Sequence, residues 1–301
     1  MEEIYTLNIG VIGYGTRINA IVKLLVNSGE ARLAAIMDVN PDAVKEKYIV
    51  PNSFENVTYY TNAEEMLENE KLDGVLVGTR CSLHTHYALL VAKYNIPLFL
   101  QKSTHDLDYI NYLLGGLKPV RVCAMESKQI YKGNKPAGLK CADCDERETC
   151  RESDINVKKL NDGRRIGEYC CFAVDTGNHD SGTVIVEYEN GLHAVYSQNF
   201  VVRNGAGKRG ARIIGYDATL ELDWKSSTVT IYNHFDKTTD VKIFESTDGH
   251  GGGDELLSDD FISVMKGEVK SHSPLLEGIL SAEMCLAAKK SAEEKVFVNI
   301  D

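Results

Sequence analysis

Residues 7–28 read LNIGVIGYGTRINAIVKLLVNS, and their reading decides the fold. LNIGVIG is a short apolar run with the aliphatic content of a buried strand, and the following INAIVKLLVNS places apolar residues at helical spacing. Between them stand Gly13 and Gly15. A strand that turns into a helix on two glycines meets the needs of a pyrophosphate site: a tight turn, close backbone approach, and a helix N-terminus aimed at the anion. The third position of the G-x-G-x-x-G pattern is Ile18, a departure, and a lone G-x-G also serves ordinary strand-to-helix turns.

The next strand adds context. AAIMDVNP ends at Asp38, close to the spacing of a ribose-binding carboxylate. A carboxylate there accepts hydrogen bonds from a ribose diol and repels a 2′-phosphate, so NAD is expected rather than NADP. The plainer alternative makes Asp38 a cap for the helix that begins at Pro41.

Outward from this motif, the first hundred residues alternate strand and helix patterns: RLAAIMD, PDAVKEKY, VTYY, NAEEMLENE, LDGVLVGT, HYALLVAKY and IPLFLQ. Such alternation implies a parallel sheet covered by helices on both faces, with ligands at the carboxyl ends of its strands. From about residue 104 the pattern changes to one helix, HDLDYINYLLGG, and then strands of alternating polarity, VRVCAMES, TVIVEYENG, HAVYSQNFVV, RIIGYDATLEL and STVTIYNHF. Residues 131–169 show neither period. Two helical stretches, DELLSDDFISVMKG and PLLEGILSAEMCLAAKKSAEE, precede a last strand, KVFVNI.

The chain has 301 residues, 43% of them hydrophobic and 26% charged, with a net charge of -11. That is material for about two cores, and the acidity argues against nucleic acid or an anionic membrane as partner. The start, MEEIYTLNIG, lacks the basic and apolar regions of a signal peptide, and no apolar run approaches the roughly 20 residues that span a bilayer, so a cytoplasmic protein is expected. Eight cysteines in a reducing compartment point to thiols or metal ligation. LKCADCDERETC gives Cys141, Cys144 and Cys150 in a C-x2-C-x5-C arrangement, with Cys170 or Cys171 nearest to complete a tetrahedral set. A structural zinc on Cys141, Cys144, Cys150 and Cys170 and free thiols in an exposed loop are the two readings. Cys81, Cys123 and Cys285 fall in apolar elements and read as core packing.

The combination VIGYGTR, LDGVLVGTRCSLHTHYALLVAKYNIPLFL, HDLDYINYLLG, GTVIVEYENG, RIIGYDATLELDW and GHGGGDELLSDDFI resembles the Gfo/Idh/MocA family of nicotinamide-dependent oxidoreductases over nearly the whole chain. The resemblance implies an α/β Rossmann-like N-terminal NAD-binding domain, residues 1–103. It implies an α+β C-terminal domain with an open, mainly antiparallel sheet, residues 104–301, serving substrate binding and homo-oligomerisation. The implied activity is hydride transfer between NAD and a secondary alcohol of a sugar or polyol. An NAD-dependent glycosidase of the same fold, or a cofactor-binding protein without turnover, are the alternatives. Cofactor contacts are expected at Gly13, Gly15, Thr16, Arg17, Asp38, Thr79 and His84, the last matching a family position beside the nicotinamide; His86 has no clear counterpart.

The family's fifth strand ends in a Glu-Lys-Pro motif whose Lys points at the substrate hydroxyl, and a His follows several tens of residues later. Here LFLQKSTHDLD brings Lys102 and His105 together with nothing between, and reads as a seam left by an internal deletion. A natural short variant in which Lys102 serves both roles is the other reading. Oxidation of an alcohol needs a base for the hydroxyl proton and a group to hold the developing alkoxide. His105 is the expected base, Lys102 the group that positions the oxygen, and Asp108, one helical turn on, a partner for either His105 or a substrate hydroxyl. The blander reading is a helix start capped by Ser103 or Thr104, with Asp106 and Asp108 on its dipole. In DGHGGGDELL, Asp248, His250 and Asp254 are within reach of a substrate in sequence terms, or Asp254 caps the helix that follows.

Overall fold

The computed structural model describes residues 5–48, 56–100, 105–160, 167–203, 206–245 and 251–300. The chain divides into two compact units, Met1–Asp108 with Thr247–Ser281, and Tyr109–Ser246 with Ala282–Asp301.

The first unit alternates β1 (Leu7–Ile12), α1 (Thr16–Asn27), β2 (Ala31–Met37), α2 (Pro41–Tyr48), β3 (Thr58–Tyr60), α3 (Ala63–Asn69), β4 (Gly74–Val77), α4 (Cys81–Ala92) and β5 (Leu98–Leu100). Its five strands are all parallel, in the order β3-β2-β1-β4-β5. Chain order reverses at β1, whose neighbours are β2 on one side and β4 on the other, so the loops after β1 and β4 flank the crevice that such sheets use for ligands. The three central strands, β2, β1 and β4, are buried almost without interruption, as expected where helices cover both faces, and the edge strands β3 and β5 are not.

Two apolar clusters form those faces. Leu76 belongs to one, and its strand neighbours Val75 and Val77 to the other, which is the alternation that a pleat imposes. The first cluster joins Ile18, Ile21, Val22 and Leu25 of α1 to Phe261 and Ile262; the second joins Ala63, Met66 and Leu67 of α3 to Leu90 and Val91 of α4. Phe261 and Ile262 lie on the helix Gly253–Met265, so part of the expected second domain packs in the first unit. Gly74 makes room for it: a Cβ there would lie 2.3 Å from Met265 Sδ and 2.9 Å from Phe261 Cζ. The Phe261 ring meets Phe99 edge-on at 5.6 Å.

The second unit carries most of α5 (His105–Leu113), then β6 (Pro119–Ser127), a 3-10 turn at Cys141–Asp143, α6 (Asp154–Leu160), β7 (Ser181–Tyr188), β8 (His193–Asn199), β9 (Gly210–Ile214), β10 (Ala218–Asp223), β11 (Thr228–Asn233), β12 (Thr239–Ile243) and β13 (Val298–Asn299). These strands make two antiparallel sheets, β13-β6-β7-β8 and β12-β11-β10-β9, where the sequence suggested one. The sequence reading also had no strand at β12, whose residues are all exposed and carry no buried face to read. It had no element in 131–169, where the turn at Cys141 and α6 stand. The helix Leu275–Glu294 ties to β6 through Ser291, whose Oγ accepts the Ala124 N–H at 2.9 Å. Among the described residues no helix is long and apolar enough to cross a membrane.

Because Phe261 closes one face of the parallel sheet from far along the chain, Phe261→Ala is predicted to cost about 3 to 5 kcal/mol. Urea unfolding is the check; a loss below about 1 kcal/mol would mean that the Gly253–Met265 helix is not part of that core.

Candidate functional site

The turn after β1 is built by its two glycines in different ways. Gly13 has φ +80°, the left-handed region, and a Cβ there would lie 2.9 Å from the Thr79 backbone. Its N–H donates to Met37 O at 2.8 Å, and the Gly78 N–H donates to Ile12 O at 2.9 Å, pinning the turn between its neighbouring strands. Gly15 is the N-cap of α1, with φ -105° and ψ 178°, which any residue adopts, and no heavy atom lies within 4 Å of where its Cβ would point. Neither the backbone nor the packing requires glycine at position 15. What its missing side chain leaves is open approach to the start of α1, which has no capping side chain and no acid in its first turn.

Ile18 explains the departure from the three-glycine pattern. It is buried, and a Cβ on Gly78 would fall 1.9 Å from its Cγ1. The close approach of helix to sheet, which the third glycine of the pattern provides from the helix side, is provided here from the end of β4 by Gly78. The sequence held the signal in VLVGTR, but only pairing across 60 residues of chain gives it meaning.

Asp38 follows β2 and is half-buried. Its Oδ2 accepts the N–H of Tyr14, the residue between the two glycines, at 2.9 Å, and its Oδ1 accepts the Asn40 N–H at 3.0 Å. The cap of α2 is Asn40, whose Oδ1 accepts the Ala43 N–H at 3.2 Å, so the capping alternative for Asp38 is not what the structure has. Each carboxylate oxygen keeps a further lone pair. Beside it, Thr16 Oγ1 and the Tyr48 hydroxyl hydrogen-bond at 3.0 Å, and the bond from Thr16 lowers the Tyr48 phenol below its usual range. Tyr14 is buried under the turn, its ring 5.7 Å from Tyr48, and burial pushes its phenol well up.

After β4, Thr79 and His84 act together. The carbonyl of Thr79 can only accept, so His84 Nε2 carries the proton in their 2.9 Å hydrogen bond, and the ring is 9% exposed. His86 is exposed, in ring contact with Tyr87. Arg17, expected as a cofactor contact, makes a two-pronged ion pair: Nη1 to Asp254 Oδ2 and Nη2 to Asp254 Oδ1. Asp254 is therefore not the helix cap; Gly252 is, and Asp254 stands in the first turn.

Lys102 lies outside the described residues, as do Gln101, Ser103 and Thr104, where a seam was one of the two expectations, and Asp248 and His250. His105 opens α5, and Asp108 is half-buried on the same helix.

Among the described side chains, five cysteines cluster, and Cys123 and Cys285 lie outside that cluster. Cys141, Cys144, Cys150, Cys170 and Cys171 line one small enclosure with Arg147. The Cys144 N–H donates to Cys141 O, and the antiparallel bridge Lys140 to Tyr169 brings Cys170 beside that turn. All five are free thiols. Burial pushes the Cys171 thiol up to about 12, with Glu152 adding to it. Among the described residues no three His, Cys, Asp or Glu side chains are grouped so as to hold a metal ion, so the expected zinc ligands share the enclosure without forming a ligand set. Cys123 and Cys285 are half-buried rather than in the core, and nothing is described of the Cys81 side chain.

A parallel sheet in the order 3-2-1-4-5 with a glycine turn and an open helix start at its reversal point defines a Rossmann-type α/β protein. Residues 7–102 match the model of an oxidoreductase family's NAD-binding Rossmann fold, and residues 91–300 that of the same family's C-terminal alpha/beta domain. The chain belongs to the Gfo/Idh/MocA oxidoreductase family. It is 24% identical over 196 residues to "Putative oxidoreductase YteT" of Bacillus subtilis (strain 168), an alignment that takes in 54% of this chain and 46% of that protein. The chain thus spans a little under half the length of the curated relative it matches. Among solved structures it is similar to a levoglucosan dehydrogenase in complex with NADH (TM-score 0.66, 13% identity, 98% of this chain and 99% of that one). It is also similar to the WlbA dehydrogenase from Bordetella pertussis in complex with NADH and UDP-GlcNAcA (TM-score 0.61, 13% identity, 99% and 98%). At these identities the likeness speaks to the fold.

The two glycines are predicted to respond in opposite senses. Gly13→Ala should lose about 1 to 3 kcal/mol of stability through backbone strain, whereas Gly15→Ser should gain roughly a few tenths of a kcal/mol as a better helix cap. Thermal melts of both variants are the check; a destabilised Gly15→Ser would show that the space beyond Gly15 is needed by the fold itself.

Proposed function

We propose that the protein is an oxidoreductase that transfers a hydride between NAD and a secondary alcohol of a sugar or polyol-like substrate. The observation that carries this reading is the uncapped start of α1 at Gly15, open to a ligand, with the Asp38 carboxylate held against the same turn. The helix start with Gly13 and Gly15 would receive the pyrophosphate, and Thr16 and Arg17 stand in that first turn. Asp38, with lone pairs to spare, would take the ribose diol, and its charge opposes a 2′-phosphate, which favours NAD over NADP. Thr79 and His84 line the other lip of the crevice. The bound nicotinamide supplies the hydride chemistry.

For the protein's own part in the reaction, His105 is the proposed acceptor of the hydroxyl proton, since an imidazole titrates near neutrality. Lys102 would hold the oxygen as charge develops on it, and Asp108, three residues on along α5, would orient His105 or bind a neighbouring hydroxyl. The sugar-like substrate class is supported by levoglucosan and UDP-GlcNAcA in the related structures. Pairing of copies through the sheet of the second unit belongs to the same reading; Ile185 and Val195, opposite each other on β7 and β8, are both exposed. The zinc reading rests on the five thiols that line one enclosure, two of them in a C-x-x-C turn, four of which would have to draw together around the ion.

Two measurements test this. Titration of the full chain with NADH, followed by nicotinamide fluorescence, should saturate, and Asp38→Ala should weaken NADH by about tenfold or more while raising the ratio of NADPH to NADH affinity. A folded sample that does not saturate, or one indifferent to Asp38→Ala, rejects the dinucleotide reading. Separately, plasma mass spectrometry should find about one zinc per chain, lost in Cys144→Ser with Cys150→Ser. Metal-free protein that takes up none from solution leaves the thiols free.

A further inference from the structure

The ion pair between Arg17 and Asp254 is placed oddly for one that only staples two helices. Arg17 is the second residue of α1, where the helix dipole disfavours a cation, and α1 offers it no acid in its own first turn. Its countercharge comes instead from Asp254, 237 residues away in sequence, in the first turn of the helix Gly253–Met265. That helix also lacks a capping side chain, and its N-cap Gly252 has φ 80°. One carboxylate thus lies at the start of its own helix and against a cation at the start of α1. The pair is partly shielded, with 32% of the Arg17 side chain and 20% of the Asp254 side chain exposed, so its charges are less screened than those of a surface pair. Two of the three guanidinium nitrogens are engaged, Nη1 on Oδ2 and Nη2 on Oδ1. Beyond Gly15, two residues before Arg17, the space is open.

We propose that Arg17 is shared between two anions: Asp254 holds it in the free protein, and the pyrophosphate of the dinucleotide takes it over on binding, so that Asp254 sets cofactor affinity by competition. The proposal rests on the dinucleotide reading above. Asp254 is a positioning residue in this scheme, because it acts on the cofactor through Arg17 and through its own negative charge. A guanidinium with one edge on a carboxylate has its charge already met and fewer N–H groups to give a phosphate, and a second negative charge near the phosphate opposes binding further. It follows that the two partners of one ion pair have opposite effects on binding. The Gly-rich approach to Asp254, with Gly251 and Gly252 both in the left-handed region, also gains a role: it lets the chain enter its helix with the carboxylate already in the first turn.

The test compares Arg17→Ala, Arg17→Lys and Asp254→Asn with the wild-type chain, each by NADH titration and by thermal melt. Removing either partner should lower the melting temperature, since either change breaks the pair. Affinity should split: about tenfold weaker NADH binding in Arg17→Ala, partly restored in Arg17→Lys, and about threefold or more tighter binding in Asp254→Asn. A purely structural pair would weaken binding in both, so weaker binding in Asp254→Asn, or unchanged binding in Arg17→Ala, overturns the proposal. Failure of the wild-type chain to bind NADH overturns the dinucleotide reading itself and takes this proposal with it, an outcome distinct from a wrong sign in Asp254→Asn.

Discussion

The first unit depends on how closely α1 can approach the end of β4. Ile18 occupies the place that a side chain at position 78 would need, and the Gly13 turn presses against the Thr79 backbone with no room for a Cβ. These two contacts fix where α1 begins relative to the reversal of strand order, and with it the direction in which its first N–H groups point. Everything attributed to the candidate site follows from that placement. The Asp38 carboxylate reaches the Tyr14 N–H because β2 delivers it beside the same turn. Tyr14 is buried under it, and Tyr48 closes against Thr16 at the rim.

The same comparison separates glycine as a structural requirement from glycine as an opening. Gly13, Gly74 and Gly78 are each required by something the protein itself puts there: the Thr79 backbone, Met265 with Phe261, and Ile18. Gly15 is required by nothing within 4 Å. A position whose backbone suits a capping serine, at the head of a 12-residue helix, and which nonetheless carries glycine, forgoes a small gain in stability. On the proposed function, access for a ligand would account for that choice.

Much of this was legible in the sequence, for physical reasons that can be named. The alternation of apolar runs with helical patterns through residue 100 reports a sheet buried on both faces, and β1 to β5 follow it closely. Gly13, Gly15 and Asp38 are local to strand ends, where motif spacing is informative. What the sequence hid is what depends on distant pairs. Ile18 looked like a broken motif until Gly78 was set against it. Asp254 reads in sequence as either a substrate contact or a helix cap, whereas the structure pairs it with Arg17. Asp38 looked equally able to cap α2, and the neighbouring Asn40 does so. The helix Gly253–Met265 carried a clear helical pattern but no sign of which core it would join; Gly74, its counterpart, reads in isolation as a turn residue.

Electrostatics makes the candidate site more demanding than its motif suggests. The chain carries a net charge of -11, so an anionic cofactor approaches against the field of the whole protein. Among the described residues the positive contributions near the turn include the start of α1, Lys47 over the Tyr48 ring, and Arg17, whose charge is already met by Asp254. The Asp38 carboxylate is held on the Tyr14 N–H of the same turn. On the proposed reading, the two carboxylates would suit the site to a ligand whose charge is confined to a pyrophosphate and would oppose one with a further phosphate nearby. On the same reading, selectivity would come less from added attraction than from where negative charge has been kept, and the affinity given up in keeping it would ease release of a bound cofactor.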